Sequence, residues 1–421
     1  MNVLRQFCRR QIFDALKHRN LTNSQHRLCS REYSGQLMSQ LQAKIKFNGP
    51  LTVADYMKEA LTNCTEGYYI HRDVFGKDGD FTTSPEISQM FGELVALWFV
   101  NEWMMAGSPE DIKLVELGPG RGTMADDMLR AFSNFPELKK ALSLHLVEIS
   151  EKLSEMQEEK LSAGGDNSTI ACSENDPHYK SCKSKHGPNV YWYRDISEIP
   201  AGYTMFVAHE FFDALPIHKF QKVDKGWREI LVDIDPAADN KLRYVLAPGE
   251  TAASKVYLKV SADDKREHIE VSPGTGVTVQ HIVDVLDNHG GSALLIDYGH
   301  DGTKEDTFRG FRNHELHDVL EDPGTADLTA DVDFSYIKKQ AGDRVKSFGP
   351  VTQSHFLQNM GIAYRLKMLY EKADADGKKD LLSAFNMLTN PEQMGERFKF
   401  LAILNKHCSH SPVGFDPLPE E

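Results

Sequence analysis

With 421 residues, 40% of them apolar, the chain is long enough for one large domain or two smaller ones. No apolar run approaches the roughly 20 residues that cross a bilayer, so the sequence predicts a soluble protein without a membrane span. The net charge of −14 weighs against nucleic acid as the main substrate and favours basic partners.

The N-terminal stretch departs from this acidic balance. Residues 1–33 carry Arg5, Arg9, Arg10, Lys17, Arg19, Arg27 and Arg31 against only Asp14 and Glu32, and Leu4, Cys8, Ile12 and Ala15 share one helical face. That pattern is expected of a mitochondrial transit peptide, with cleavage after Tyr33 in R-E-Y-S. Its loss removes seven basic and two acidic groups and leaves a body of net charge −19. Six cysteines without a C-x-x-C pair make neither a disulfide framework nor a zinc finger. Cys172, His178, Cys182 and His186 match no common finger spacing, and residues 163–187 around them read as a polar surface insertion.

Residues 34–110 form a helical N-terminal region, with helical periodicity over 52–63 and 85–107. The loop 67–88 between them ends at Ser84, an expected N-cap before Pro85, and Thr82, Thr83 and Ser84 are candidates to lie over a pocket. Strand-turn-helix units then recur over 112–133, 142–160, 189–199 and 204–216. They predict a parallel α/β sheet covered on both faces, the first part of a core spanning 111–216. Residues 217–277 read as a β-rich insertion of antiparallel strands. The core resumes over 278–300 with a helix and the strand SALLIDYGH. The remainder, 301–421, is expected to be loop-rich to 350 and to end in a helical tail over 353–407.

The chemistry concentrates at strand ends. LVELGPGRGT (114–123) places Gly118, Pro119, Gly120 and Gly122 behind an apolar strand, but Thr123 stands where G-x-G-x-x-G needs its third glycine, and G-K-[ST] is absent. The turn therefore cradles no phosphate. It suits an uncharged ligand surface, with Glu116 beside it to meet an ammonium group. Glu148 ends the next strand, where an acid receives ribose hydroxyls, and Asp195 follows the third, placed for a base or its amino group. Ile149 and Ile196 adjoin these acids and are assigned to the same site. Three acids on successive strand ends describe a nucleoside with an amino-acid arm, which is S-adenosylmethionine. No metal site is predicted.

ELGPGRGTM (116–124), GDFTTSPEISQMFGE (79–93), AHEFFDALPIHKFQ (208–221), DYGHDGT (297–303) and GTADLTADVDF (324–334) together resemble the MidA-type methyltransferases, from about residue 45 to 405. These are mitochondrial complex I assembly factors, also described as protein arginine methyltransferases. The resemblance implies a class I methyltransferase (Rossmann-like) fold and S-adenosyl-L-methionine as cofactor. It further implies a matrix location and symmetric dimethylation of an arginine in a core catalytic subunit of complex I.

A guanidinium acceptor is planar, permanently charged and pairs with carboxylates. Glu210 and Asp213, in HEFFDALP after the strand TMFVA, are the candidate catalytic acids, with Phe211 and Phe212 as channel walls. The competing reading makes both acids helix-start residues favoured by the dipole. Asp297 and Tyr298 are expected to shape the same cleft. A small-molecule methyltransferase and a non-catalytic assembly chaperone remain alternatives, and the oligomeric state is open.

Overall fold

A computed structural model describes residues 24–71, 82–164, 176–238, 240–258, 260 and 264–417. Residues 1–23 of the expected leader lie outside them. The helix α1, Ser24–Asn48, runs through the expected cleavage point after Tyr33. Its later turns bury Leu37, Leu41 and Ile45 among Tyr56, Met57 and Ala60 of α2, Val53–Thr62.

The sheet at the centre uses β1 (Ile112–Leu117), β2 (Leu142–Val147), β3 (Lys180–Lys183), β4 (Asn189–Tyr193), β5 (Thr204–His209), β6 (Gly291–His300), β7 (Val345–Thr352) and β8 (Phe398–Asn405). Their order is β7-β8-β6-β5-β1-β2-β4-β3, and a two-residue strand, Val332–Asp333, joins β6. β1, β2, β4, β5 and β6 are parallel, while β8 runs antiparallel to β6. This is the expected α/β architecture of class I methyltransferases. Burial explains it: β1 and β5 are buried at all six positions, as continuous apolar strands covered on both faces must be. On one face α3 (Gln89–Met105) packs Phe91, Leu94, Trp98 and Phe99 against Leu114, Leu146 and Ile296. On the other, helix Pro273–His289 packs Val279, Ile282 and Leu286 against Val115, Phe206 and Leu295.

Three expectations need correction. Within 163–187, Lys180–Lys183 is an edge strand of the sheet with Cys182 buried, not a surface insertion throughout. The stretch 301–350 holds a small sheet of Arg309–Arg312, Glu315–His317 and Asp327–Thr329, plus the helix Phe334–Ala341. The tail is not all helical, because Phe398–Asn405 pairs with both β6 and β7. The strands of the β-rich segment, His218–Val223, Gly226–Ile234, Leu242–Leu246 and His268–Val271, form a separate antiparallel sheet that also takes up Leu51–Thr52. No helix among the described residues is long and apolar enough to cross a membrane.

Candidate active site

β1 delivers Glu116 and then bends. Gly118, Gly120 and Gly122 all have positive φ (62°, 54° and 74°), the left-handed region that side-chain-bearing residues avoid. A Cβ on Gly118 would stand 3.0 Å from the Phe211 ring, so this position also needs the space. α4, Thr123–Phe132, starts directly after Gly122. Gln157, from α5 (Glu151–Leu161), ties the turn to its neighbours. Its Nε2 donates to the Gly120 carbonyl (2.7 Å) and to Glu148 Oε2 (3.0 Å), while its Oε1 accepts from Trp192 Nε1 (2.8 Å). No role for Gln157 was visible in the sequence, because only the fold brings it beneath the turn.

Glu148 follows β2 and is buried. Its Oε1 accepts from the Ser150 N–H at 2.7 Å, and burial pushes its carboxyl up to about 7 despite that bond and the one from Gln157. Asp195 is turned to a local task. Its Oδ1 accepts from Ser197 N and Oγ (2.9 and 2.6 Å), capping the 3-10 helix Ile196–Glu198, and these bonds hold its carboxyl below the usual range. Ile149 is largely exposed, and Ile196 packs against the core beside helix Pro273–His289.

Beyond the glycine turn lies a cleft of about 410 Å³, its open mouth included, bounded by Thr83, Glu116, Gly118, Gly120, His209 and Glu210. Pro119 borders it too, whereas Gly122, Glu148, Ile149, Asp195, Ile196, Thr82 and Ser84 are not in its lining. Thr83, not Ser84, is the N-cap of the four-residue helix Ser84–Ile87. Ser84 is fully buried with its hydroxyl donating to Gln353 Oε1 (3.3 Å), so that hydroxyl faces the core instead of a ligand.

The lining is acidic. Glu86, Glu116 and Glu210 face it, and the one guanidinium among its described lining residues, Arg121, sits 4.0 Å from Glu86. Glu116 is buried, its Oε2 has no hydrogen-bond partner among the described residues, and burial pushes its carboxyl up to about 8. Such an orphaned acid awaits a donor, since an unmet buried carboxylate oxygen is costly. An ammonium-bearing ligand against the bare glycine turn satisfies it, so these residues fit S-adenosylmethionine.

Glu210 directly follows β5 in a strained backbone, φ 50°, which costs a side-chain-bearing residue about 1–2 kcal/mol. The expected alternative, a helix start, is absent: residues 210–216 are irregular, with a single turn at Asp213 and Ala214. What holds the strain is Asp297 of β6, whose Oδ2 accepts N–H bonds from Phe211, Phe212 and Asp213 at 3.2, 3.1 and 3.3 Å. The Glu210 side chain is 18% exposed and takes the Ser84 N–H, yet its Oε1 has no hydrogen-bond partner among the described residues. Burial, then Asp213, Asp327 and Glu86, push its carboxyl well up.

Asp213 lies behind it, buried, its Oδ2 bonded to the Tyr298 hydroxyl and to Thr329 Oγ1 (2.9 Å). It is absent from the cleft lining, so any influence on a ligand passes through its neighbours. Phe212 is core, while Phe211 leans on the glycine turn. His209, the last residue of β5, also borders the cleft and was given no role from sequence.

Comparisons agree with this geometry. The family model described as S-adenosyl-L-methionine-dependent methyltransferase matches residues 94–351. A Xenopus laevis protein named "Protein arginine methyltransferase NDUFAF7, mitochondrial" is 52% identical over 89% of this chain and 85% of its own. The mouse protein of that name is 52% identical, covering 91% of each, and a Drosophila melanogaster homologue 45%, covering 90% and 88%. A crystal structure of a Burkholderia thailandensis protein bound to S-adenosyl-homocysteine superposes with a TM-score of 0.74 at 24% identity, over 94% of this chain and 96% of that one. At that identity it speaks for the fold. Strand order, glycine turn, family match and relatives converge: the chain belongs to the S-adenosyl-L-methionine-dependent methyltransferase family, in the group that includes the NDUFAF7 protein arginine methyltransferases.

Proposed function

We propose that this chain is a protein-arginine N-methyltransferase acting in the mitochondrial matrix. Its acceptor is an arginine of a core catalytic subunit of respiratory complex I, dimethylated symmetrically and needed for assembly of the complex. The relatives' names support protein arginine methylation and the mitochondrion. The complex I target and the symmetric product rest on the motif resemblance. One observation carries the reading: an acid-lined cleft at the strand ends presents two carboxyl groups, the buried Glu116 and the half-buried Glu210, each with an oxygen lacking a partner among the described residues. A donor's ammonium and an acceptor's guanidinium supply one cation for each acid.

Bound at the glycine turn, S-adenosylmethionine supplies a methyl group on a cationic sulfur. Glu116 takes its ammonium, and the Gly118–Gly122 main chain accepts its flat face. Glu148 receives the ribose hydroxyls on the capacity its carboxylate retains, and Asp195 stands at the base end. Thr83, which borders the cleft, lies against the ligand, with Thr82 next to it in the chain. Glu210 pairs with the acceptor guanidinium and orients one nitrogen in line with the methyl group. Asp213 and Asp297 keep Glu210 in place.

Glu116 makes cofactor binding proton-linked. Below about 8 its carboxyl is protonated in the empty cleft, and pairing with an ammonium requires the carboxylate. Cofactor affinity therefore rises with pH toward about 8, and titration calorimetry over that range reads the slope. In Glu116→Gln the slope flattens; a variant that tracks the native protein at every pH would exclude the pairing. For Glu148→Ala the expected loss of cofactor affinity is about 1.5–3 kcal/mol, the worth of a hydrogen bond to a charged group. A change of a few tenths, on the same calorimeter, would mean that this acid serves only Ser150 and Gln157.

The basic residues 1–33 direct the chain to the matrix and are then removed. N-terminal sequencing of the protein recovered from mitochondria should begin near Ser34, and an intact Met1 would contradict import with cleavage. Mass spectrometry of the complex I core subunits, from mitochondria with and without this protein, tests the function. Loss of a symmetrically dimethylated arginine is expected. Unchanged methylarginine in every core subunit would overturn the reading.

A further inference from the structure

We infer that His209 accepts, at Nε2, the proton that the acceptor nitrogen releases on methylation, an inference that rests on the arginine reading above. Three observations place it there. His209 is 7% exposed, borders the cleft beside Glu210, and its Nε2 has no hydrogen-bond partner among the described residues. That nitrogen lies 3.4 Å from Glu210 Oε1, itself unpartnered, so a planar guanidinium gripped by Glu210 brings an N–H donor within reach of it. The ring is held rather than free: it meets Phe91 edge-on at 5.1 Å and stacks on Phe398 at 6.2 Å and 12°.

A guanidinium has no spare lone pair until it sheds a proton, and the methylated nitrogen must end one proton poorer. The nitrogen electron pair forms the N–C bond as the C–S bond breaks, the latter's pair remaining on sulfur. The displaced N–H proton moves to Nε2, and the imidazolium then stands against the Glu210 carboxylate until solvent takes the proton. Glu210 is the wrong destination, because protonating it would release the cation that it must orient. Glu86 and Glu116 also face this cleft, but Glu86 lies near Arg121 and Glu116 is assigned to the donor's ammonium. Phe91 and Phe398, which flank the ring, offer no acceptor. Burial holds the imidazole neutral before the acceptor enters, pushed down to about 3, so its Nε2 lone pair is unprotonated at working pH.

Two variants test this. His209→Phe keeps an aromatic ring between Phe91 and Phe398 without a nitrogen, and His209→Ala leaves a ring-sized gap. The acceptor is mitochondrial protein from cells lacking this enzyme, the donor is tritiated S-adenosylmethionine, and methylarginine is counted after acid hydrolysis. Both variants are expected to bind S-adenosylmethionine within about threefold of the native affinity while kcat falls on the order of a hundredfold and KM for the protein acceptor changes little. Added imidazole should restore part of the rate to His209→Ala and none to His209→Phe. Native-like transfer by His209→Phe would overturn the inference. So would absence of imidazole rescue in the alanine variant, or loss of cofactor affinity in both, which would make His209 a wall of the donor site. If the native enzyme itself labels no arginine, the functional reading falls first and the inference with it.

Discussion

Glu210→Gln should leave S-adenosylmethionine affinity near the native value while methyl transfer falls by on the order of a hundredfold or more. The amide preserves the shape of the side chain and can still accept the Ser84 N–H, so the turn fixed by Asp297 has no reason to move. What it removes is charge. A guanidinium entering an acid-lined cleft loses water on both sides, and a carboxylate replaces that water with two charge-assisted hydrogen bonds where an amide offers one neutral acceptor. Asp213→Asn should do less, because its carboxylate acts on Glu210 from behind, held by Tyr298 and Thr329. Parallel cofactor titration and methylarginine assay separate the steps. If Glu210→Gln loses both, the residue belongs to the donor site. If it loses neither, the guanidinium sits elsewhere at these strand ends.

The second large effect is at the glycine turn. Gly120→Val puts a β-branched side chain where φ is 54°, a conformation valine strongly resists, at a position bordering the cleft. S-adenosylmethionine affinity should drop by at least about a hundredfold, since the main chain can no longer lie flat against the ligand. The sheet need not unfold, because the turn lies outside the buried faces of β1 and β5 that carry the core. A folded variant, judged by circular dichroism, that binds with native affinity would show that the ligand lies elsewhere.

What the sequence exposed and what it concealed follow from the range of the interactions. The glycine turn, Glu116 and Glu210, which border one cleft, were legible as candidates because each sits one or two residues from the end of an apolar strand, and strand ends are where α/β sheets bind. Asp195 satisfied the same rule, but the rule does not see that Ser197, two residues on, claims its carboxylate. His209 stayed hidden beside Glu210, since its distinction is an empty hydrogen-bonding position that only packing by Phe91 and Phe398 creates. Phe400–Leu404 reads as a short continuous apolar run, for which periodicity does not separate strand from helix. Its partners in β6 and β7 are a hundred and some fifty residues away in sequence and decide the matter. The short strands between 309 and 329 escaped because three or four residues are too few to show alternation.

The central claim is spatial: one cleft holds the donor's ammonium at Glu116 and the acceptor guanidinium at Glu210. A crystal structure of the protein with S-adenosylhomocysteine and an arginine-containing peptide tests it most directly. The expected result places the ligand's ammonium within hydrogen-bond distance of Glu116 Oε2, its adenosine toward Glu148, and the guanidinium on the Glu210 carboxylate with a nitrogen facing the sulfur. A guanidinium bound away from Glu210, or an ammonium turned away from Glu116, would contradict the account.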